Sequence, residues 1–118
     1  MKRAIPRLLL FEATTFAVAS LIHFGVLVRG FEHRKAGIAE SVIATVLLAG
    51  VAWSVRSRRS SRLVGLTAQG FALLGTLVGV LMIAIGVGPR TAPDVTYHVL
   101  IMIVLICGLV MAARLPHN

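Results

Sequence analysis

The sequence predicts an all-α integral membrane protein built as a bundle of four helices, and two observations support this fold class. The 118-residue chain is 58% hydrophobic and only 14% charged, and its mean hydropathy is +0.93. Soluble domains are roughly 45–50% apolar and about 25% charged, and a chain of this length leaves much of its surface exposed. The apolar residues also gather in four runs of membrane-spanning length. We therefore expect one transmembrane domain whose helices alternate in direction.

The four predicted helices cover about residues 8–28, 36–55, 63–87 and 92–113. A helix needs about 20 residues to cross a hydrocarbon core of about 30 Å, and each run has about that length. The connections are short, which favours antiparallel neighbours. The first run follows basic residues as a signal peptide would, but Glu12 interrupts its apolar core, so we expect a retained helix.

The charged residues predict an orientation in the membrane. Of the twelve Lys and Arg residues, eight lie in the N-terminal tail, in the second connection and at Arg114, and four lie in the other two connections. The positive-inside rule therefore predicts a multi-pass protein of the bacterial plasma (inner) membrane with both termini in the cytoplasm. No aromatic interleaving or binding motif accompanies the net charge of +8, so nucleic-acid binding is not expected. Anionic lipid headgroups are the predicted contacts of the second connection, through Arg56, Arg58, Arg59 and Arg62.

A seam of small residues follows the third helix at alternating spacings of three and four. In lipid, close backbone approach between small residues drives helix association. The seam therefore predicts a tightly packed neighbour, which is either a helix of the same chain or a second copy in a homo-oligomer. Its small residues are Gly65, Ala68, Ala72, Gly75, Gly79 and Gly86.

Ionisable residues inside the spans are costly in lipid and are therefore candidate functional groups. Glu12 and His23 are eleven residues apart and share one face of the first helix. We expect Glu12 to reach water at the nearer end or to pair with Arg7. Glu40 lies near the start of the second helix, either as an acid favoured by the helix dipole or as an inward-pointing group.

The third connection, GVGPRTAPDVTYH (residues 86–98), holds several polar residues. Its glycines end one helix and turn the chain, and TAPD is a capping-box pattern with Thr91 as the N-cap. Asp94 and His98 are four residues apart, so the carboxylate is expected to accept an imidazole N–H. Tyr97 can be an ordinary residue of the membrane interface. Helix capping does not explain why His98 follows Tyr97.

Five polar side chains lie within about two helical turns of the outer surface, which predicts a ligand or proton site near the extracytoplasmic face. Two histidines at one depth are candidate ligands of haem or of a metal ion, with Glu40 as a third ligand or hydrogen-bond partner. A carboxylate–histidine pair also suits proton transfer, and a quinone or another hydrophobic ligand can bond to a tyrosine or histidine. The sequence contains no catalytic motif, so no catalytic residue is predicted. The five residues are His23, Glu40, Asp94, Tyr97 and His98.

Three functions follow from these observations. The leading hypothesis is a non-enzymatic membrane component that binds a ligand, metal or haem, or that assists a larger membrane complex. The second is a small proton-coupled transporter that works as an oligomer. The third is a membrane subunit of an oxidoreductase, which requires a bound cofactor.

Two segments in the middle of the chain resemble the DoxX-like group of small four-helix membrane proteins. These are KAGIAESVIATVLLAG (residues 35–50) and RSSRLVGLTAQGFALLG (residues 59–75). The group combines a Gly-Ile/Leu-x-Glu start of the second helix with an Arg-containing loop and a Gly/Ala-rich third helix. The resemblance implies that Glu40 is the acid of the family's second helix. It also implies a membrane subunit that works, in some members, beside a redox or sulfur-metabolising partner.

Overall fold

The computed structural model describes residues 2–117, which form four long α-helices and one short 3₁₀ turn, with no strand in that range. All four helices are long and apolar enough to cross a membrane. The predicted all-α fold class is confirmed, and the chain is a multi-pass membrane protein. The helices are α1 (Ala4–His23), α2 (Arg34–Arg56), α3 (Ser61–Ala84) and α4 (Ala92–Ala113), and the 3₁₀ turn before α3 is Arg58–Ser60.

α1 begins at Ala4 and not at residue 8, because the helix starts before the apolar run from which it was predicted. Two of the predicted C-terminal helix ends are also wrong, and glycine is the reason in both cases. α1 ends at His23 and not at residue 28, because the chain turns at Gly25, whose φ is +73°. The apolar residues 26–28 belong to the first connection. α3 ends at Ala84 and not at residue 87, and Gly86, with a φ of +84°, lies in the following turn. Gly86 is therefore a turn residue and not part of the helix-packing seam.

The helices pack as two pairs. α1 packs mainly on α2, α3 packs mainly on α4, and α2 joins the pairs by packing on α3, whereas α1 and α4 contact each other little. The centre is filled by side chains that are at most 2% exposed. Large apolar residues cover the outside, as expected for a surface in contact with lipid. The central residues include Ile5, Leu9, Phe16, Leu47 and Leu105.

The small residues of α3 bring its backbone close to two neighbouring helices of the same chain. A Cβ added at Gly65 would lie 2.9 Å from the Cβ of Ala112 on α4. A Cβ at Gly75 would lie 2.8 Å from the Cδ1 of Ile43 on α2. Real Cβ atoms do not approach so closely, so alanine at Gly65 would push α3 and α4 apart, whereas at Gly75 the flexible end of Ile43 would have to move. At these positions the seam packs within the chain.

The third connection is built from helix caps. The Arg90 guanidinium donates to the carbonyls of Ile83 (3.0 Å) and Ala84 (3.2 Å), which satisfies acceptors at the end of α3. Thr91 Oγ1 accepts from the Asp94 N–H at 3.3 Å, and the Asp94 carboxylate accepts from the Thr91 N–H at 3.2 Å. The predicted capping box at the start of α4 is confirmed.

His33 ties the first connection to the third. Its Nδ1 accepts from the Ala36 N–H at 3.2 Å and so caps α2. Its Nε2 therefore carries the proton and donates to the Val87 carbonyl at 3.1 Å. The two connections are joined at the end of the bundle where α1 ends and α4 begins.

Thr91→Ala is expected to lower the free energy of unfolding by about 1 kcal/mol, because the N-cap of α4 loses its side-chain acceptor. Thermal unfolding in lipid nanodiscs measures the effect. Thr14→Ala is the matched control, since the exposed Thr14 hydroxyl bonds only to the Leu10 carbonyl of its own helix. Equal stability of the two variants would contradict a capping role.

Candidate functional site

Three ionisable side chains from three helices form one hydrogen-bonded cluster at this end of the bundle. His23 Nδ1 lies 2.7 Å from Glu40 Oε2, and His23 Nε2 lies 2.9 Å from Asp94 Oδ1. His23, Glu40 and Asp94 are 4%, 6% and 7% exposed. We call these three residues the His23 cluster. It joins the end of α1 to the second turn of α2 and the first turn of α4.

The local sequence explains how each member reaches the cluster. His23 is the last residue of α1 and lies on its buried face. Ser20, one turn earlier, donates to the Gly37 carbonyl at 2.8 Å and holds the two helices together beside Glu40. Asp94 uses one carboxylate oxygen for His23 and the other for the main-chain N–H and hydroxyl of Thr91. The same side chain therefore caps α4 and attaches it to α1.

The hydrogen-bond pattern determines how many protons the His23 cluster holds. Carboxylates accept hydrogen bonds, so each of the two contacts of the imidazole needs one proton between nitrogen and oxygen. The cluster thus holds two protons, shared among one ring and two carboxyl groups. When both protons are on His23, the ring is an imidazolium between two carboxylates, which is an arrangement that favours a buried charged ring.

Tyr97 lies beside the cluster with its hydroxyl unpaired. Its ring packs edge-on against Phe16 and His98, with centroid distances of 6.1 Å and 5.7 Å. The hydroxyl is buried and has no hydrogen-bond partner in residues 2–117. Thr15 of α1 lies near this hydroxyl, and a bound molecule that reaches it after a small rotation of the ring would supply the missing partner.

The expected pair between the Asp94 carboxylate and His98 does not form. His98 Nδ1 instead donates to the main-chain carbonyl of Asp94 at 2.7 Å. The carboxylate turns toward the start of its helix, where Thr91 and His23 engage both of its oxygens. His98 Nε2 points toward Gly79, where an added Cβ would lie 3.0 Å from it. The structure therefore joins His23, Glu40 and Asp94 directly and places Tyr97 and His98 next to them.

Two cavities open beside these residues. The larger, about 480 Å³, lies between α1 and α4, and we call it the α1–α4 groove. Its walls are almost entirely apolar, and His23, Asp94 and Tyr97 form its polar part. The smaller, about 250 Å³, lies between α2, α3 and α4, with Glu40, Tyr97 and His98 among its lining residues. Tyr97 borders both cavities.

Glu12 is fully buried, so the expectation that it reaches water or pairs with Arg7 is wrong. It lies on the core face of α1, and neither of its carboxylate oxygens has a hydrogen-bond partner among residues 2–117. Gln69 on α3 is also fully buried, and its amide packs against Gly108 without a hydrogen bond in the same range. Gln69 is not among the residues predicted from the sequence, although an amide within an apolar run is a signal of a polar group inside the membrane.

The donor groups do not fit the predicted haem or metal site. Carboxylates engage both ring nitrogens of His23, so no lone pair is left on that ring for iron or a metal ion. In His98 only Nε2 is left, because Nδ1 donates to a carbonyl. Within residues 2–117, no group of three or more His, Cys, Asp or Glu side chains could hold a metal ion. Coordination by His23, His98 and Glu40 would require the cluster to break.

The arginines predicted to contact anionic lipid lie around the second connection. Arg56, Arg58 and Arg59 are exposed, and Arg62 is half-buried. They occupy the end of the bundle opposite the His23 cluster, since Arg56 ends α2 and Glu40 lies near its start. Their contact with lipid stays a prediction.

Comparison of the chain with known protein families, with curated proteins and with solved structures found no match. The class of protein is therefore defined by the fold and by the cluster. It is a four-helix, multi-pass membrane protein in which a buried histidine bridges two carboxyl groups from other helices.

Proposed function

We propose that this protein is a non-enzymatic component of the plasma (inner) membrane that binds a lipophilic molecule with a hydrogen-bonding head group. One observation carries the proposal. The apolar α1–α4 groove ends at His23, Asp94 and Tyr97, and the buried hydroxyl of Tyr97 has no hydrogen-bond partner among residues 2–117. A ligand with an apolar body and a carbonyl or hydroxyl head matches that arrangement.

The size and lining of the groove support this ligand class. Its volume of about 480 Å³ falls within the roughly 300–1,000 Å³ of small-molecule pockets, which are mostly apolar with a few polar groups. Val18, Ile22 and Phe31 supply apolar wall. The buried hydroxyl of Tyr97 gains the hydrogen bond that it lacks when a ligand oxygen or N–H reaches it. A quinone with an alkyl chain is the simplest probe of this chemistry.

Binding of decyl-benzoquinone to the protein in nanodiscs tests the proposal. We expect Tyr97→Phe to raise the dissociation constant by up to about tenfold, because one hydrogen bond contributes about 0.5–1.5 kcal/mol. Val18→Trp is expected to abolish binding, because the new ring fills the groove. Val42→Trp is the matched control, since Val42 is exposed on α2 and lines none of the described cavities. Unchanged affinity in Val18→Trp would exclude the groove as the binding site.

Proton-coupled transport is the second candidate, and the buried carboxyl group of Glu12 favours it. Glu12 and His23 lie on the buried face of α1, about 16 Å apart along the helix axis. A carboxyl group without a partner in an apolar surrounding is a binding site for a proton or a cation. Together with the His23 cluster, Glu12 provides two proton sites at different depths along one helix.

Proteoliposomes that contain a pH-sensitive dye test the transport candidate. After an imposed pH step we expect proton flux above that of empty liposomes, and we expect Glu12→Gln and Glu40→Gln to abolish it. Glu32→Gln is the matched control, because Glu32 is exposed and bonds only to the Gly30 N–H. Flux that is equal in Glu12→Gln and in the unmodified protein would remove this candidate.

The resemblance to the DoxX-like group adds a partner to the proposal. A membrane component of that kind would work beside a redox or sulfur-metabolising protein, in a larger complex or as a homo-oligomer. Purification from native membranes under mild detergent, followed by identification of retained proteins, checks this prediction. We expect a redox or sulfur-metabolising protein at a fixed stoichiometry, and recovery of the chain alone would contradict the proposed complex.

A further inference from the structure

A third cavity lies at the basic end of the bundle, away from the His23 cluster. Its volume is about 360 Å³, and it is bordered by the first turns of α1, the last turns of α2 and the 3₁₀ turn. We call it the basic cavity. Its polar lining includes Arg3, Arg7, Ser54 and Arg58.

Ser54 is the residue of the basic cavity that packing alone does not explain. It is 1% exposed, and its hydroxyl has no hydrogen-bond partner in the part of the chain that the structure describes. Serine hydroxyls in helices commonly donate to the carbonyl four residues earlier, and Ser54 does not. A buried hydroxyl that lines a cavity is satisfied when a bound group supplies the partner.

The residues that line the basic cavity include arginines and no acidic side chain. All four acidic residues of the chain lie elsewhere: Glu12 is buried in the middle of α1, and the other three lie at the opposite end. The two ion pairs of the His23 cluster, which hold two of these acids, lie at that opposite end. α1 also begins at this cavity without a side-chain cap and without an acid in its first turn. The first N–H groups of a helix and its dipole favour an anion.

We propose that the basic cavity binds a phosphate monoester group, held by Arg7 and Arg58 and by the hydroxyl of Ser54. Guanidinium groups bind phosphate through paired, charge-assisted hydrogen bonds, and the α1 N-terminus adds favourable potential. Phosphate monoesters occur both on a lipid headgroup and on soluble metabolites. This site is independent of the α1–α4 groove, because the two lie at opposite ends of α1.

Trp53 provides a reporter for the lipid source. It is the only tryptophan of the chain, it precedes Ser54 directly, and it is 62% exposed. In phosphatidylcholine nanodiscs we expect brominated phosphatidic acid to quench its fluorescence at about one-tenth of the mole fraction that brominated phosphatidylcholine requires. A tenfold preference corresponds to about 1.4 kcal/mol. In a second arm, inorganic phosphate is added to phosphatidylcholine nanodiscs and the melting temperature is recorded.

Three variants separate the phosphate site from general attraction to a basic surface. Arg58→Gln and Ser54→Ala are each expected to remove most of the preference for phosphatidic acid, whereas Arg34→Gln, an exposed arginine at the other end, keeps it. Circular dichroism confirms that each variant is folded. The Ser54→Ala arm keeps the test informative if the arginine variant misfolds, because it leaves the charge unchanged.

Each result assigns or overturns the phosphate site. A preference for phosphatidic acid that Ser54→Ala or Arg58→Gln weakens assigns the site to a lipid headgroup. A rise in melting temperature with inorganic phosphate that the same variants remove assigns it to a soluble phosphate. Equal quenching by both lipids without stabilisation by phosphate overturns the proposal, and so does a response that the variants leave unchanged.

Discussion

His23→Leu is expected to lower the free energy of unfolding by about 3–5 kcal/mol, although leucine is a favourable residue in a membrane helix. The substitution removes the group that separates the carboxyl groups of Glu40 and Asp94. Both carboxyl groups then remain buried without the imidazole that bridged them. A buried group that loses its partner bears the full cost of leaving water. Unfolding by a denaturing detergent in mixed micelles measures the change.

Replacement of the whole His23 cluster is expected to be far milder than loss of the histidine alone. In the triple variant His23→Leu, Glu40→Leu, Asp94→Asn, no charge remains to be paired, and asparagine still caps α4. Apolar replacement of a complete buried ion cluster is often neutral or stabilising. We therefore expect the triple variant to lie within about 1 kcal/mol of the unmodified protein. A triple variant less stable than His23→Leu would show that the cluster contributes net stability.

Gly65→Val is expected to destabilise the bundle by about 1–3 kcal/mol, which is the usual cost of overpacking a core. Even the Cβ of the new side chain would lie 2.9 Å from the Cβ of Ala112. A Cβ is fixed to the backbone, so α3 and α4 have to separate. At Gly75, by contrast, the nearest atom is the flexible end of Ile43, and we expect a smaller effect there. The same unfolding assay measures both variants.

Gly70 provides the control for the Gly65 substitution. It lies in the same helix, and an added Cβ at Gly70 meets no atom within 4 Å. Gly70→Val is therefore expected to change stability little, since the cost of glycine in a helix offsets that of a β-branched residue. Gly65→Ala should be rescued by Ala112→Gly, which removes the obstructing atom. Failure of this rescue would mean that α3 and α4 do not meet at this pair.

The fold was predictable because hydropathy reports burial in lipid directly. The start and end of α4 were predicted correctly, since TAPD is a strong capping signal and Arg114 follows the last apolar residue. The end of α1 was not predicted correctly, because residues 26–28 are as apolar as the helix before them. Hydropathy is insensitive to the positive φ of Gly25, which turns the chain.

The depth of the candidate site in the bundle was predictable from the sequence, but the directions in which its side chains point were not. The positions of His23, Glu40 and Asp94 along their helices indicated a common level, and the structure joins them. Which groups bond depends on the rotation of each helix and on competition for each carboxylate. One carboxylate oxygen of Asp94 accepts from the Thr91 N–H and the other bonds to His23, so neither is left for His98. Glu12 was misplaced although it was predicted to share a face of α1 with His23, because the spacing did not say that this face is buried along its whole length.

The division of the His23 cluster between helix pairs has a consequence for biosynthesis. His23 and Glu40 belong to α1 and α2, the two helices that are made first and pack most closely. This hairpin can enter the bilayer with its own acid and base already bonded to each other. Asp94 follows on α4, where its hydrogen bonds with Thr91 form locally. It then bonds to the ring nitrogen of His23 that Glu40 does not engage. The His23 cluster can therefore assemble in the order of synthesis, with His23 and Glu40 first and Asp94 last.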